Sequence, residues 1–271
     1  LKLLWRGYLM IDDNLEEDIV NWIQDKVEER DADGVVIGLS GGIDSSVAGA
    51  LGKKAFPENS LGVLLPADGT ITKDVEYANM LADEFDLDTI KVNMEDANNA
   101  LVDTFENIDI EKTERTHWPQ TQIPTPDPAS QNIQTRLRMM TLYYIAEKKN
   151  YLVLGTSNKS EILAGYYTLH GDGATDLRPM GDLYKTEVWE LAEQLGVPQE
   201  IIDRPPTGGC RGDETDRDEK EFGLDYETLD AIHETIHEGG DLTQFDQDDV
   251  NRAVELFAAA RDKENTPMYM L

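Results

Sequence analysis

Gly38-Leu39-Ser40-Gly41-Gly42-Ile43-Asp44-Ser45-Ser46 lies between an apolar β-branched run, Val35-Val36-Ile37, and a helix-forming segment, Val47-Ala48-Gly49-Ala50-Leu51. A strand, a glycine turn and a helix start in that order build an anion site. Glycine adopts positive φ and lets the backbone come close to a ligand. The first amides of a helix have no partner within it and point into the turn. Ser40, Ser45 and Ser46 add hydroxyl donors, and Asp44 adds a carboxylate suited to a hard cation such as magnesium. The stretch is not a Walker A loop, because no Gly-Lys-Ser/Thr follows the glycines.

Ser-Gly-Gly-x-Asp-Ser in this setting resembles the PP-loop of the ATP pyrophosphatase superfamily, whose members bind ATP and cleave it to AMP and pyrophosphate. The plainer reading is a serine/glycine turn that caps a core helix. The match extends through a strand, a turn and a helix, which favours a nucleotide. The loop alone does not choose among GMP synthetases, asparagine and argininosuccinate synthetases, tRNA thiolases and NAD synthetases.

The 271 residues suffice for one large α/β domain. With 24 Lys+Arg against 55 Asp+Glu, the formal net charge is −31. That charge repels nucleic acid and anionic membrane surfaces, so neither is expected as a partner. It also repels ATP, so the site must gather its few cations locally. Adaptation to high salt, where screening relieves self-repulsion, is the expectation for the surface. A single cysteine, Cys210, excludes an internal disulfide framework and fits a reducing cytoplasm. No apolar run reaches membrane-spanning length. Leu1–Tyr8 lacks the cleavage site of a signal peptide, and Met10 offers an internal start, so the first residues read as an extension.

Around the loop, short apolar runs alternate with helical patterns. Leu15, Ile19, Trp22, Ile23 and Val27 recur at helical spacing. Ser60–Leu65 reads as a second strand, Asp74–Phe85 as a helix, Thr89–Val92 as a third strand and Ala97–Phe105 as a helix. Asn132–Lys149 predicts a helix burying Ile133, Leu137, Met140, Leu142, Tyr144 and Ile145, and Tyr151–Leu154 a fourth strand. Helices are expected over Tyr226–Glu238 and Asp248–Asp262. Residues 106–130 and 205–223, rich in Pro, Gly and Asp and without periodicity, predict two irregular, mobile loops. The expected fold is a Rossmann-like doubly wound parallel sheet with helices on both faces, one domain with its core over residues 33–204. Ligands then bind beyond the carboxyl ends of the strands, where Gly38–Ser45 and Gly155-Thr156 both lie.

Other candidates are ambiguous on their own. Glu161 starts a helix, where an acidic side chain is favoured by the macrodipole, or reaches a metal shared with Asp44. Gly171-Asp172-Gly173-Ala174-Thr175-Asp176 reads as a surface turn or as a carboxylate cluster. Lys185, at a helix start after an acidic turn, reads by itself as a surface lysine.

The ordered set is more specific. After the PP-loop come Asn132-Ile133-Gln134-Thr135-Arg136-Leu137-Arg138-Met139, Gly155-Thr156-Ser157-Asn158-Lys159-Ser160-Glu161, residues 165–176 (GYYTLHGDGATD), Leu183-Tyr184-Lys185-Thr186 and Arg204-Pro205-Pro206-Thr207. In order and spacing this set resembles ammonia-dependent NAD synthetases, especially archaeal-type ones, from Val35 to Thr207. The resemblance implies that Gly38, Leu39, Ser40, Gly41, Gly42, Ile43, Asp44 and Ser45 bind ATP phosphates, with Thr156, Lys185 and Thr207. It implies magnesium on Asp44 and Glu161, and the substrate deamido-NAD on Arg136, Arg138 and Asp176. It also implies a homodimer. Asp172 or Asp176 is the candidate to orient ammonia or accept its proton, with Lys185 neutralising phosphate charge. The common Gly-Thr-Asp-His-Ala-Ala-Glu is altered to Gly155–Glu161, Leu169 replaces a lysine, and the C-terminal His-Lys-Arg is blurred to Arg261-Asp262-Lys263-Glu264.

The implied reaction is amidation of the nicotinate carboxylate of deamido-NAD with ammonia, through an adenylated intermediate, releasing AMP and pyrophosphate. No nucleophilic side chain is needed, consistent with one cysteine and four histidines. No segment supplies a glutaminase, so free ammonia is the expected donor. The alternatives are another PP-loop adenylating amidotransferase or thiolase, and a non-catalytic ATP-binding sensor.

Overall fold

Val35, Val36 and Ile37 are fully buried, as expected of a strand covered on both faces. In the computed structural model, which describes residues 11–12, 14–67, 72–106, 128–207 and 218–264, these residues lie in β1 (Gly34–Gly38) at the centre of a four-stranded sheet. β2 (Ser60–Leu64) and β4 (Tyr151–Val153) flank it, and β3 (Thr89–Lys91) forms the edge beyond β2. The order β3-β2-β1-β4 is parallel throughout. The chain walks outward from β1 through β2 to β3 and then returns to the opposite side of β1. Strand order therefore reverses between β1 and β4, and the crevice at their carboxyl ends is the natural ligand position.

Alternation along β1 divides the core. Val35 and Ile37 face α1 (Leu15–Glu29), α2 (Ile43–Ala55), α3 (Thr72–Phe85) and α7 (Lys185–Leu195). Val36 faces the opposite side, where α4 (Glu95–Glu106) and α5 (Pro128–Lys149) cover Leu61, Val63 and Val153. Burying each such side chain is worth about 1.5–3 kcal/mol, so a one-residue slip in β1 is strongly disfavoured. Short α8 (Gln199–Ile202) joins the first layer. A separate cluster around Phe222, Tyr226, Leu229 and Leu256 unites α6 (Lys159–Ala164), α9 (Asp218–Phe222), α10 (Tyr226–Glu238) and α11 (Gln247–Glu264).

The doubly wound parallel fold is as expected, with local differences. α5 begins at Pro128, because proline suits the first helical position. Met140 and Tyr144 are 58% and 62% exposed rather than buried, since the sheet covers only the opposite face of α5. Asp218–Phe222, expected to be irregular, is helical and anchored by the buried Phe222. Residues 1–10, 107–127 and 208–217 lie outside the described residues, and with them most of the two expected loops, the segment read as an N-terminal extension and Cys210. Among the described residues no helix is long and apolar enough to cross a membrane.

Candidate active site

The turn after β1 is built by glycine and held by its own serines. Gly41 has φ +79°, and Gly42 in extended conformation precedes α2. Ser40 and Ser45 hydroxyls lie 3.0 Å apart, the Ser40 amide donates to Ser45 Oγ at 3.2 Å, and Ser46 Oγ donates to the Gly42 carbonyl at 2.9 Å. Arg204 buttresses the turn from outside. It donates to the Gly41 carbonyl at 3.1 Å, pairs with Asp74 of α3 and lies over the Tyr77 ring.

The N-termini of α6 and α7 reach the same crevice. Lys185 occupies the first position of α7, where a cation opposes the helix macrodipole. It is nonetheless 1% exposed, contrary to its reading as a surface lysine. The reason is charge: Nζ pairs with Asp44 Oδ2, lies 3.9 Å from Glu161 Oε1 and sits over the Tyr226 ring. Burial pulls the Lys185 pKa down, but Asp44, Glu161 and Asp218 outweigh it and hold the ammonium at about 12. Asn158 caps α6 by accepting from the Glu161 amide, and donates to Asp44 Oδ1 at 2.9 Å.

Three carboxylates thus share one buried ammonium. Burial, reinforced by the Asp44 charge and opposed by Lys185, pushes the Glu161 carboxyl well above the usual range. Burial likewise pushes Asp218 up to about 6, against Lys185 and the Tyr226 hydroxyl, which donates to Oδ2 at 2.9 Å. Asp218 Oδ1 is buried with no hydrogen-bond partner. Surplus negative charge and an orphaned oxygen suit a hard cation. Among the described residues no group of three or more His, Cys, Asp or Glu side chains is placed to hold a metal ion by itself, so a cation here would need phosphate and water as further ligands.

A cleft of about 830 Å³, its open mouth included, joins these parts. Of the residues selected by sequence, Ser40, Gly42, Ile43, Asp44, Ser45, Thr156, Glu161, Asp172, Lys185 and Thr207 line it. Gly38, Leu39 and Gly41 do not line it. Arg136, Arg138 and Asp176 do not line it. Arg136 donates to the Leu169 carbonyl at 3.3 Å and Arg138 to the Leu65 carbonyl at 3.1 Å. Asp176 accepts from the Val153 amide at 2.8 Å and pairs with Arg30 at 3.7 Å. Asp74, Ser157, Tyr166, Arg204 and Asp218 also line the cleft, and sequence reasoning gave none of them a role. Arg204 stood inside a quoted motif, whereas Asp218 lay unmarked in an acidic stretch.

Asp230 of α10 staples the two helix starts. Its Oδ1 accepts from Ser160 Oγ, which itself accepts from the Lys185 amide at 2.8 Å, and its Oδ2 accepts from Thr186 Oγ1 at 3.0 Å. Burial outweighs these bonds and raises its pKa to about 6 from 3.8. The folded state therefore binds this proton more tightly, and Asp230 contributes less stability as pH rises through 6. Chemical unfolding of wild type and Asp230→Asn at several pH values should show the wild-type advantage shrinking by about 1 kcal/mol between about pH 5 and 7. An advantage that grows over that window contradicts the assigned shift.

An NH(3)-dependent NAD(+) synthetase from Methanocaldococcus jannaschii is 44% identical over 231 residues, 82% of each chain. A solved NMN synthetase from Francisella tularensis superposes with a TM-score of 0.81 at 29% identity, covering 96% of this chain and 99% of that one. An NH3-dependent NAD synthetase from Campylobacter jejuni, solved with a nitrate ion, gives 0.76 at 26% identity, covering 96% and 100%. The family model for NAD synthase matches residues 15–267, so the sheet, the glycine turn and the buried lysine all fall inside it, and this chain belongs to the NAD synthase family.

Proposed function

We propose that this chain converts deamido-NAD to NAD with ATP and ammonia, and that Asp44, Glu161 and Lys185 form its phosphate-handling centre. One observation carries the reading: a buried lysine stands between carboxylates of two helix starts beside the glycine turn, in one cleft. Amides and serine hydroxyls of the turn bind the ATP phosphates, and Lys185 neutralises charge as pyrophosphate departs. Magnesium held by Asp44 and Glu161 supplies further charge neutralisation when bound. A nicotinate oxygen attacks the α-phosphorus and the bond to pyrophosphate breaks. Ammonia then attacks the acyl carbon and the bond to AMP breaks, leaving the amide. Asp172, which lines the cleft, orients ammonia or takes its proton in this proposal. Arg136, Arg138 and Asp176 belong to this proposal only as contacts for the distal part of the dinucleotide.

The acidic surface supports function at high salt, and membership of the family supports a homodimer. The test is pyrophosphate release with ATP, magnesium, acceptor and ammonium, each omitted in turn, at low and molar KCl. Release that requires deamido-NAD, with NAD formed only when ammonium is present, is the expected result. A faster reaction with the mononucleotide acid moves the acceptor toward that of the Francisella tularensis protein. Release with xanthylate removes the substrate assignment, and ATP binding without release with any acceptor leaves a sensor. An unchanged ammonia-dependent rate in Asp172→Asn removes that residue's role.

A further inference from the structure

Asn158 is fully buried and works in two directions. Its side-chain oxygen accepts from the Glu161 backbone N–H at 2.9 Å, and its own N–H donates to Glu161 Oε2 at 3.3 Å, closing the capping box of α6. Its side-chain nitrogen donates to Asp44 Oδ1 at 2.9 Å, on a different helix. A cap needs only an acceptor, and serine or threonine serves there. The bond to Asp44 is the part that capping does not explain. It requires a side chain that carries a donor as well as an acceptor.

The consequence lies in Asp44. Lys185 holds its Oδ2 and Asn158 its Oδ1, so the carboxylate cannot turn, and each oxygen retains a free lone pair. The same amide fixes the start of α6 and thereby Glu161. The geometry points to Asn158 as a positioning residue that locks Asp44 and Glu161 into one cation-binding arrangement. Because it is neutral, Asn158 orients Asp44 without cancelling the surplus negative charge around Lys185. Its inference rests on the reading of Asp44 and Glu161 as the magnesium pair.

Two variants separate capping from positioning. Asn158→Ser keeps the cap acceptor and loses the bond to Asp44. Asn158→His offers an acceptor and a donor on opposed ring nitrogens. Asn158→Ser should unfold within about 4 °C of wild type in EDTA. It should need about tenfold more magnesium for half-maximal rate, and Asn158→His should restore the wild-type requirement. In metal-free protein, the drop in unfolding midpoint caused by Asn158→Ser should disappear in an Asp44→Ala background, where the partner is gone. Wild-type magnesium dependence in Asn158→Ser, or an equal midpoint drop in both backgrounds, overturns the inference. If Asn158→Ser melts far below wild type, Asn158→His decides: normal folding with the magnesium requirement still raised tenfold or more overturns it, and a wild-type requirement upholds it. Asp44→Ala with unchanged magnesium dependence ends the parent reading instead. An inactive Asp44→Ala beside an unaffected Asn158→Ser ends the inference alone.

Discussion

Replacing Lys185 by methionine is expected to remove activity by about a thousandfold and to destabilise the protein by about 3–5 kcal/mol. The two losses have different origins. Methionine fills the same apolar shaft over Tyr226, so little packing is lost. What disappears is the only cation placed against Asp44, Glu161 and Asp218 by an ion pair or close charge among the described residues. Glu161 and Asp218, already pushed toward protonation by burial, repel Asp44 and each other without it. Thermal unfolding and steady-state pyrophosphate release measure the two effects separately. Magnesium should raise the unfolding midpoint of Lys185→Met more than that of wild type, because the cation substitutes for the lost charge. A variant that melts like wild type and gains nothing extra from magnesium contradicts the buried charge cluster.

The second large effect is expected at Gly41. Its φ of +79° already costs a non-glycine residue about 1–2 kcal/mol. A Cβ there would also meet the Asp74 carbonyl oxygen at 2.3 Å, and that atom belongs to the backbone of α3. Neither partner can yield without displacing the turn or the helix that Arg204 ties to it. Gly41→Ala should therefore lose about 2–4 kcal/mol and lower kcat/KM about a hundredfold through misplacement of the phosphate site. Gly196 provides the control. It has φ +84° but no atom within 4 Å of a Cβ, so Gly196→Ala should lose only the conformational cost of about 1–2 kcal/mol, at full activity. Equal damage at both positions means that φ alone governs, and the steric contact with α3 is then irrelevant to function.

The sheet and its neighbours were legible because their signals are local. Val35-Val36-Ile37 followed by a glycine turn and an alanine-rich helix states strand, turn and helix within the span of one element each. Position 144 shows the limit. Tyr144 shares α5 with the buried Leu137 and Ala146, and only the placement of the sheet decides which apolar face is covered. Asp218 was illegible for a related reason. Among the many acidic residues of a chain this charged, nothing in composition distinguishes the one that burial presses against a lysine.

By itself the sequence determined the phosphate turn, the parallel α/β architecture and the family, since each depends on residues adjacent in the chain or on their order along it. Tertiary structure alone decided which charges meet. Asp44, Asn158, Glu161, Lys185 and Asp218 come from α2, from the starts of α6, α7 and α9 and from the cap of α6, separated by up to 174 positions in the chain. Electrostatic energy depends on distance through space and on exclusion of water, and neither is written in spacing along the chain. Lys185, which local spacing alone reads as a surface lysine and only the family resemblance reads as an ATP contact, is buried because the fold withdraws water from around it and sets carboxylates against it.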